Sequence, residues 1–326
     1  ARFPSALPTS SADGSFNSIT IGKGANSVAG NTVLGESALD AAVTGGNNTA
    51  IGNNALTANT SGSGNTAVGE TALADNTTGS LNTGIGRDAL NFNTTGERNT
   101  SVGERSLQNN TTASNNTAVG FAALNVNTTG TSNVAVGASA LDANTTANNN
   151  TAIGHKALTT NQTGATNTAV GVQALEDCTA ADNTAVGGFA GYQITSGTRN
   201  SALGYAACGS VTTGSDNVGI GYNSCGKVTT GLGNVGIGRN TLNTTNTASH
   251  NIAIGYTALA TTTAGNNIGI GNAALVSNTT GTYNTAVGVN CLDANTTANN
   301  NTAVGYNSLT ANTTGTGNVA VGAEAL

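Results

Sequence analysis

One phrase recurs down the chain: "NTAVGETALADNTTGSL" fills residues 65–81, and "NTGIGRDALNFNTTGER" begins at once behind it. A short fixed period decides architecture before local propensity does, because units this small cannot bury a core alone and must stack on their neighbours. Aligned on the glycine that closes each "NTAVG", the repeat glycines run from Gly35, Gly52 and Gly69 to Gly322, at steps of 17 residues with two steps of 16. There are eighteen, and a divergent earlier copy, "NSITIG", ends at Gly22. All eighteen repeats carry Asn four residues before the glycine and Val, Ile or Leu just before it; fifteen carry Leu four residues after it.

The Thr/Val–Ala–Val/Ile–Gly stretch alternates with period two, which is the signature of a strand. The expectation is an all-β fold, a parallel β-solenoid of about 19 coils with a 17-residue repeat. At roughly 4.8 Å per stacked strand it would be about 90 Å long. Val68, Ile85, Val102 and Val119 are predicted to stack inside as the core ladder, so that Val102→Asp would be severely destabilising. The opposite face, with Ala67, Gly84 and Ala118, has almost no side-chain volume and is predicted to approach another chain closely. Asn65, Asn82, Asn99 and Asn116 are predicted to form a ladder of stacked amides. A charge at a stacked position would repel its own copies, which accounts for a chain only 7% charged, with 3% aromatic residues.

Residues 1–16 contain Pro4, Pro8, Phe3 and Phe16 and are predicted to be an extended N-terminal arm that caps the first coil or docks on another subunit. Residues 17–326 form the solenoid shaft, with divergent coils over about 183–266. There Gly191, Cys208 and Cys225 replace the Leu, while Ile194, Val211 and Val228 replace an Asn three residues further on. The exchange reads as a volume-conserving repacking. Cys208 and Cys225 then act as small core hydrophobes, stacked closely enough for a disulfide to be an alternative. Cys178 falls in the Asn row and Cys291 in the small-residue row before Leu. Tyr205, Tyr222, Arg239 and Tyr256 follow the glycine in four consecutive coils. They are the candidate ligand-contact edge, with a cell-surface glycan as the candidate partner and plain aromatic packing as the alternative.

Several function classes are excluded. The net charge is −6 without a Lys/Arg stripe, which argues against nucleic acid as a partner. No apolar run reaches membrane-spanning length, so no membrane insertion is expected. The N-terminal "ARFPSALPTSSADGSF" lacks the apolar core of a leader and reads as a processed end or an excised segment. His155 and His250 are isolated, no Ser/His/Asp or Cys/His set can be assembled, and the four cysteines have no metal-ligand spacing. No catalytic, cofactor-binding or metal residues are therefore assigned, no cofactor is implied, and the chain is not expected to be an enzyme. "GNVGIG" imitates a phosphate loop without a βαβ context, and Glu70, Glu104 and Asp88 fall at variable, solvated positions. Sequons at Asn93, Asn127 and Asn144 lie in a turn where Asn and Thr are expected for conformational reasons.

"NSITIGKGANSVAGNTVLG" at residues 17–35, with the recurring "NTAVG" and "NVAVG", resembles the NSVAIG-type head repeats of trimeric autotransporter adhesins. "NTAVGxxALxxNTTGxxN" also resembles the repeat shafts of bacteriophage-type tail fibre proteins. The resemblance covers residues 17–326 and implies a left-handed parallel β-roll, a homotrimer and a role in surface attachment. The expected function is therefore a structural fibre, a phage tail fibre or adhesin shaft, extracellular on a virion or cell surface. Its partners would be copies of itself and other fibre or baseplate subunits. The alternatives are a self-polymerising extracellular filament and an ice-binding solenoid. Against the latter stands the replacement of the strand Thr by Val218, Val235, Ile252 and Ile268, read as a sign that this row is buried.

Overall fold

A computed structural model of the chain describes residues 13–16, 19–244 and 247–326; most of the arm expected over residues 1–16 therefore lies outside the described residues. The chain divides into two units, Ala1–Thr146 and Ala147–Leu326. The first holds β1 (Gly14–Phe16), β2 (Ile19–Gly22), β3 (Thr32–Gly35) and then one three-residue strand per repeat, β4 (Thr49–Ile51) to β9 (Val134–Val136). The second holds β10 (Thr151–Ile153) to β20 (Val319–Val321). Within each unit successive repeat strands pair in parallel and in register, Thr on Thr and Ala on Ala. The start of the first unit differs. β1 pairs antiparallel with β2, and β2 antiparallel with β3. The divergent first copy thus folds as a hairpin over the first parallel coil, held by the Asp13 carboxylate, which accepts from the Lys23 and Gly24 amides at 2.6 Å each.

Three-residue strands understate how far the coils are joined. The amides of Thr66, Leu73, Asp75 and Thr77 donate to carbonyls of the following coil, while those of Gly69, Thr71 and Leu81 donate to the preceding one. Almost every turn of the coil is hydrogen-bonded to its neighbours, so the repeat period and the hydrogen-bond period coincide. From Gly52 onward the repeat glycines sit at φ near +130°, for example Gly69 at 138° and Gly103 at 128°. A Cβ on Gly69 would lie 2.5 Å from the carbonyl oxygen of Gly86 in the next coil. Backbone stacks directly on backbone at this corner, and only glycine leaves room for it.

The interior corrects the expected core. The Val/Ile row faces outward: Val68 and Val102 are half-buried, and Ile85 and Val119 are 39% and 36% exposed. The Ala/Gly row faces inward, with Ala67 and Ala118 fully buried. That strip is sealed inside the coil and cannot meet another chain. The reason is volume. Each coil already encloses a fully buried Leu, such as Leu73, Leu90 or Leu107, and a Cβ placed on Gly84 would stand 3.2 Å from Leu73 Cγ. An interior close-packed by Leu accepts a methyl group opposite it but not a Val.

The Leu row also has unusual backbone. Leu73, Leu90 and Leu107 lie at φ 54°, 55° and 47°, a region costing an L-residue roughly 1–2 kcal/mol and strongly disfavoured for β-branched side chains. Across all repeats this position holds only Leu, Cys or Gly, never Val or Ile.

Two buried Asn rows complete the interior, wired differently. In the row with Asn65, Asn82, Asn99 and Asn116, each amide oxygen accepts the backbone N–H of the next Asn at 2.9–3.0 Å. The side-chain NH2 donates to a turn carbonyl of the following coil, as Asn82 does to Gly96 at 2.8 Å. Direct amide-to-amide stacking dominates the second row, where Asn76 donates to Asn59 at 3.0 Å, Asn93 to Asn76 at 2.7 Å and Asn110 to Asn93 at 2.9 Å. Among the described residues no buried side-chain nitrogen or oxygen lacks a partner. The sequon residues Asn93, Asn127 and Asn144 belong to this second row and are fully buried, so their side chains are structural.

Candidate ligand-contact edge

From Cys178 to Thr262 the second Asn row is interrupted, and Asn returns at Asn278. Gly191, Cys208 and Cys225 occupy the Leu position at φ 60°, 51° and 51°, and Ile194, Val211 and Val228 fill the Asn position, fully buried. A Cβ on Gly191 would meet Leu175 Cδ2 at 2.8 Å and Ile194 Cδ1 at 3.0 Å: Ile194 has taken the vacated space. The β-branched replacements stand at the Asn position, where φ is ordinary, and not at the left-handed Leu position.

All four cysteines are free thiols and buried. Burial raises Cys178 to about 11 and Cys291 to about 11. A hydrogen bond to Cys225, together with burial, holds the Cys208 thiol well above its usual range. Thiols so protonated are poor nucleophiles.

Immediately after the repeat glycines the same coils carry aromatic side chains. Tyr205 and Tyr222 stack with ring centroids 5.5 Å apart and planes 11° from parallel. The Arg239 guanidinium sits 5.5 Å from the Tyr222 centroid and 6.0 Å from that of Tyr256. Phe189 meets Tyr205 edge-on at 5.6 Å and Tyr192 edge-on at 5.8 Å. The structure thus brings Tyr205, Tyr222, Arg239 and Tyr256 into one row and adds Phe189 and Tyr192, which the repeat phase alone had not joined to it. Tyr222 is about half exposed (52%), yet its faces are taken by Tyr205 and Arg239. At Tyr222 a sugar would meet the ring rim and not an open face.

In the first unit the same phase carries charge: Arg87 pairs with Glu104, both largely exposed. The guanidinium is held above its ordinary value, first by that hydrogen bond and then by the carboxylate's charge.

Beside the aromatic row lies a shallow hollow of about 260 Å³. Two and five residues after the repeat glycine, some regular coils carry polar pairs that bond each other, as Asn91 bonds Asp88 at 3.4 Å and Gln173 bonds Glu176. In the divergent coils these positions become Ala206 with Gly209 and Asn223 with Gly226, and the strip empties. No family model matches the chain, and comparisons with curated proteins and solved structures return no significant match. Among the described residues no three His, Cys, Asp or Glu cluster as metal ligands would, and no helix is long and apolar enough to cross a membrane.

Proposed function

We propose that the chain is the shaft of a homotrimeric fibre displayed outside the cell, a phage tail fibre or surface adhesin shaft serving attachment. The observation that carries this reading is the outward sheet face. In the second unit both outward rows become aliphatic over four coils: Val218 and Ile220, Val235 and Ile237, Ile252 and Ile254, Ile268 and Ile270, all half-buried or exposed. Contiguous exposed aliphatics on a parallel sheet mark an interaction surface, and with so few charges nearby the favoured partner is another copy of the same face. In a closed cyclic assembly each copy would present this face to its neighbours. The left-handed roll and the trimer both follow from the family resemblance, and the apolar face supports an assembly of copies.

Light scattering on the purified chain tests this, together with Val102→Lys and Ile237→Lys. A trimer that dissociates in these variants while each coil keeps its circular dichroism supports the reading. A monomer at micromolar concentration, unaffected by either substitution, overturns it, and open-ended polymers favour the filament.

One observation favours the ice-binding alternative. The strand Thr row faces outward beside the Val/Ile row, so its replacement by Val218 and Val235 does not signify burial. Those replacements nevertheless remove hydroxyls from the very face that would order water. A thermal hysteresis measurement separates the two.

A further inference from the structure

We infer that the hollow over Gly209 and Gly226 is a binding subsite for a single neutral sugar ring. It rests on the attachment reading only for its biological use; the chemistry stands on the hollow itself. The floor is made by two successive glycines at a phase where regular coils carry Asn91, Gln108 and Asn125. One end is closed by the rings of Phe189 and Tyr192, set edge to face at 5.8 Å. The rim carries Gln193, Ser210 and Asn223. Asn223 is held by donating to Asn243 Oδ1 at 2.9 Å, and its side-chain Oδ1 lies over Gly226, where a Cβ would stand only 2.0 Å from it. Gly226 is thus the residue that lets Asn223 lean across the strip.

These features select a chemistry. An aromatic wall takes the C–H face of a pyranose, and two amides and a hydroxyl serve its ring hydroxyls as donors and acceptors. No charged side chain lines the hollow, so an anionic ligand would gain no ion pair there. The volume is below the roughly 300 Å³ at which pockets for drug-sized ligands begin, which suits one ring and not an extended chain. The stacked Tyr205 and Tyr222 do not line the hollow, whereas Phe189 and Tyr192 do. The hollow also lies at a different phase of the coil from the aliphatic sheet face, so assembly through that face leaves it open.

The test is saturation-transfer difference NMR on the full chain, with millimolar methyl glycosides of glucose, galactose, mannose and N-acetylglucosamine, and glucuronic acid as the charged comparator. At least one neutral glycoside should give signal, lost in Gly209→Gln and reduced at least fivefold in Tyr192→Ala, but retained in Tyr256→Ser. Gly209→Gln fills the hollow with the residue that the regular coil carries as Gln108, so its thermal unfolding should match the parent. Should it fail to fold, Gln193→Ala, an exposed rim change, replaces it with the same expected loss. Absence of signal from every neutral glycoside, signal from glucuronic acid alone, or full signal in the filled variant each overturns the inference. A trimer that binds no sugar sinks this inference and spares the fibre; a monomer that binds sugar does the reverse.

Discussion

Around Leu107 a leucine and the amide of Asn110 share the interior; around Cys208 a cysteine and Val211 do, and all four side chains are fully buried. The comparison shows that the two positions form one packing unit. Volume removed at the left-handed position returns three residues later, where a β-branched side chain is allowed. What does not return is the amide ladder, so the divergent coils exchange hydrogen bonds along the axis for aliphatic contact. The same coils lose the polar strip outside and gain an aromatic row and a hollow. The outer surface therefore changes together with the interior where the repeat departs from its own rule.

Five experiments would break or sharpen that comparison. The largest effect is expected from Asn110→Val alone, which copies half of the exchange. It strands Asn93 Oδ1 and one N–H of the Asn127 amide, each now bonded to Asn110 at 2.9 Å, while the Ala113 carbonyl keeps the Asn99 amide. With each buried orphan worth about 1–3 kcal/mol, the loss should be about 3–5 kcal/mol in urea unfolding. A loss under about 1 kcal/mol would mean the ladder contributes little.

Next comes Cys178, where the amide row is first broken. Burial lifts its thiol to about 11, so the folded state holds the proton that the unfolded chain releases near its ordinary value. Stability from this group is complete below about pH 8.5 and is lost as pH rises toward 11, on the order of 2 kcal/mol. Cys178→Asn should flatten the fall in urea midpoint between pH 8 and pH 10.5 relative to the parent. Equal slopes in both proteins would remove the thiol from the account.

Completing the exchange, Leu107→Cys with Asn110→Val should cost less than the sum of the single changes by about 1–2 kcal/mol, because the two sites share one space. Strict additivity in the double-mutant cycle would show that the positions are independent. The smallest effects belong to the edge. Tyr222→Ser should lower stability by about 1 kcal/mol through lost stacking and cation–π contact. Arg87→Ala, at the same phase in the first unit, should leave the melting temperature unmoved, its ion pair being exposed to solvent.

Much of this was legible in the repeat. The 17-residue step requires coil-on-coil register, and the paired changes at Gly191 with Ile194 and Cys208 with Val211 announce a shared interior. The phase of Tyr205, Tyr222 and Tyr256 places them on one edge. The hollow was harder to see. Its signal was present as glycines at 209 and 226 where other coils carry polar side chains, but an absence of side chain becomes a feature only when its surroundings are known. Occupation of the Tyr222 faces by Tyr205 and Arg239 likewise depends on side-chain conformations that a repeat phase does not contain.

The sequence by itself determined the period, the stacking of like on like and the existence of two opposite-facing rows on each strand. It did not determine which row is inside. Alternation with period two is symmetric: exchanging inside for outside preserves the pattern, and hydrophobicity favours Val over Ala for the core. Only the tertiary structure broke that symmetry. The left-handed turn at Leu73 and its equivalents swings the Leu across the coil and, with the two Asn rows, leaves the strand space for Ala but not for Val. The aliphatic row is on the surface because the interior was already full.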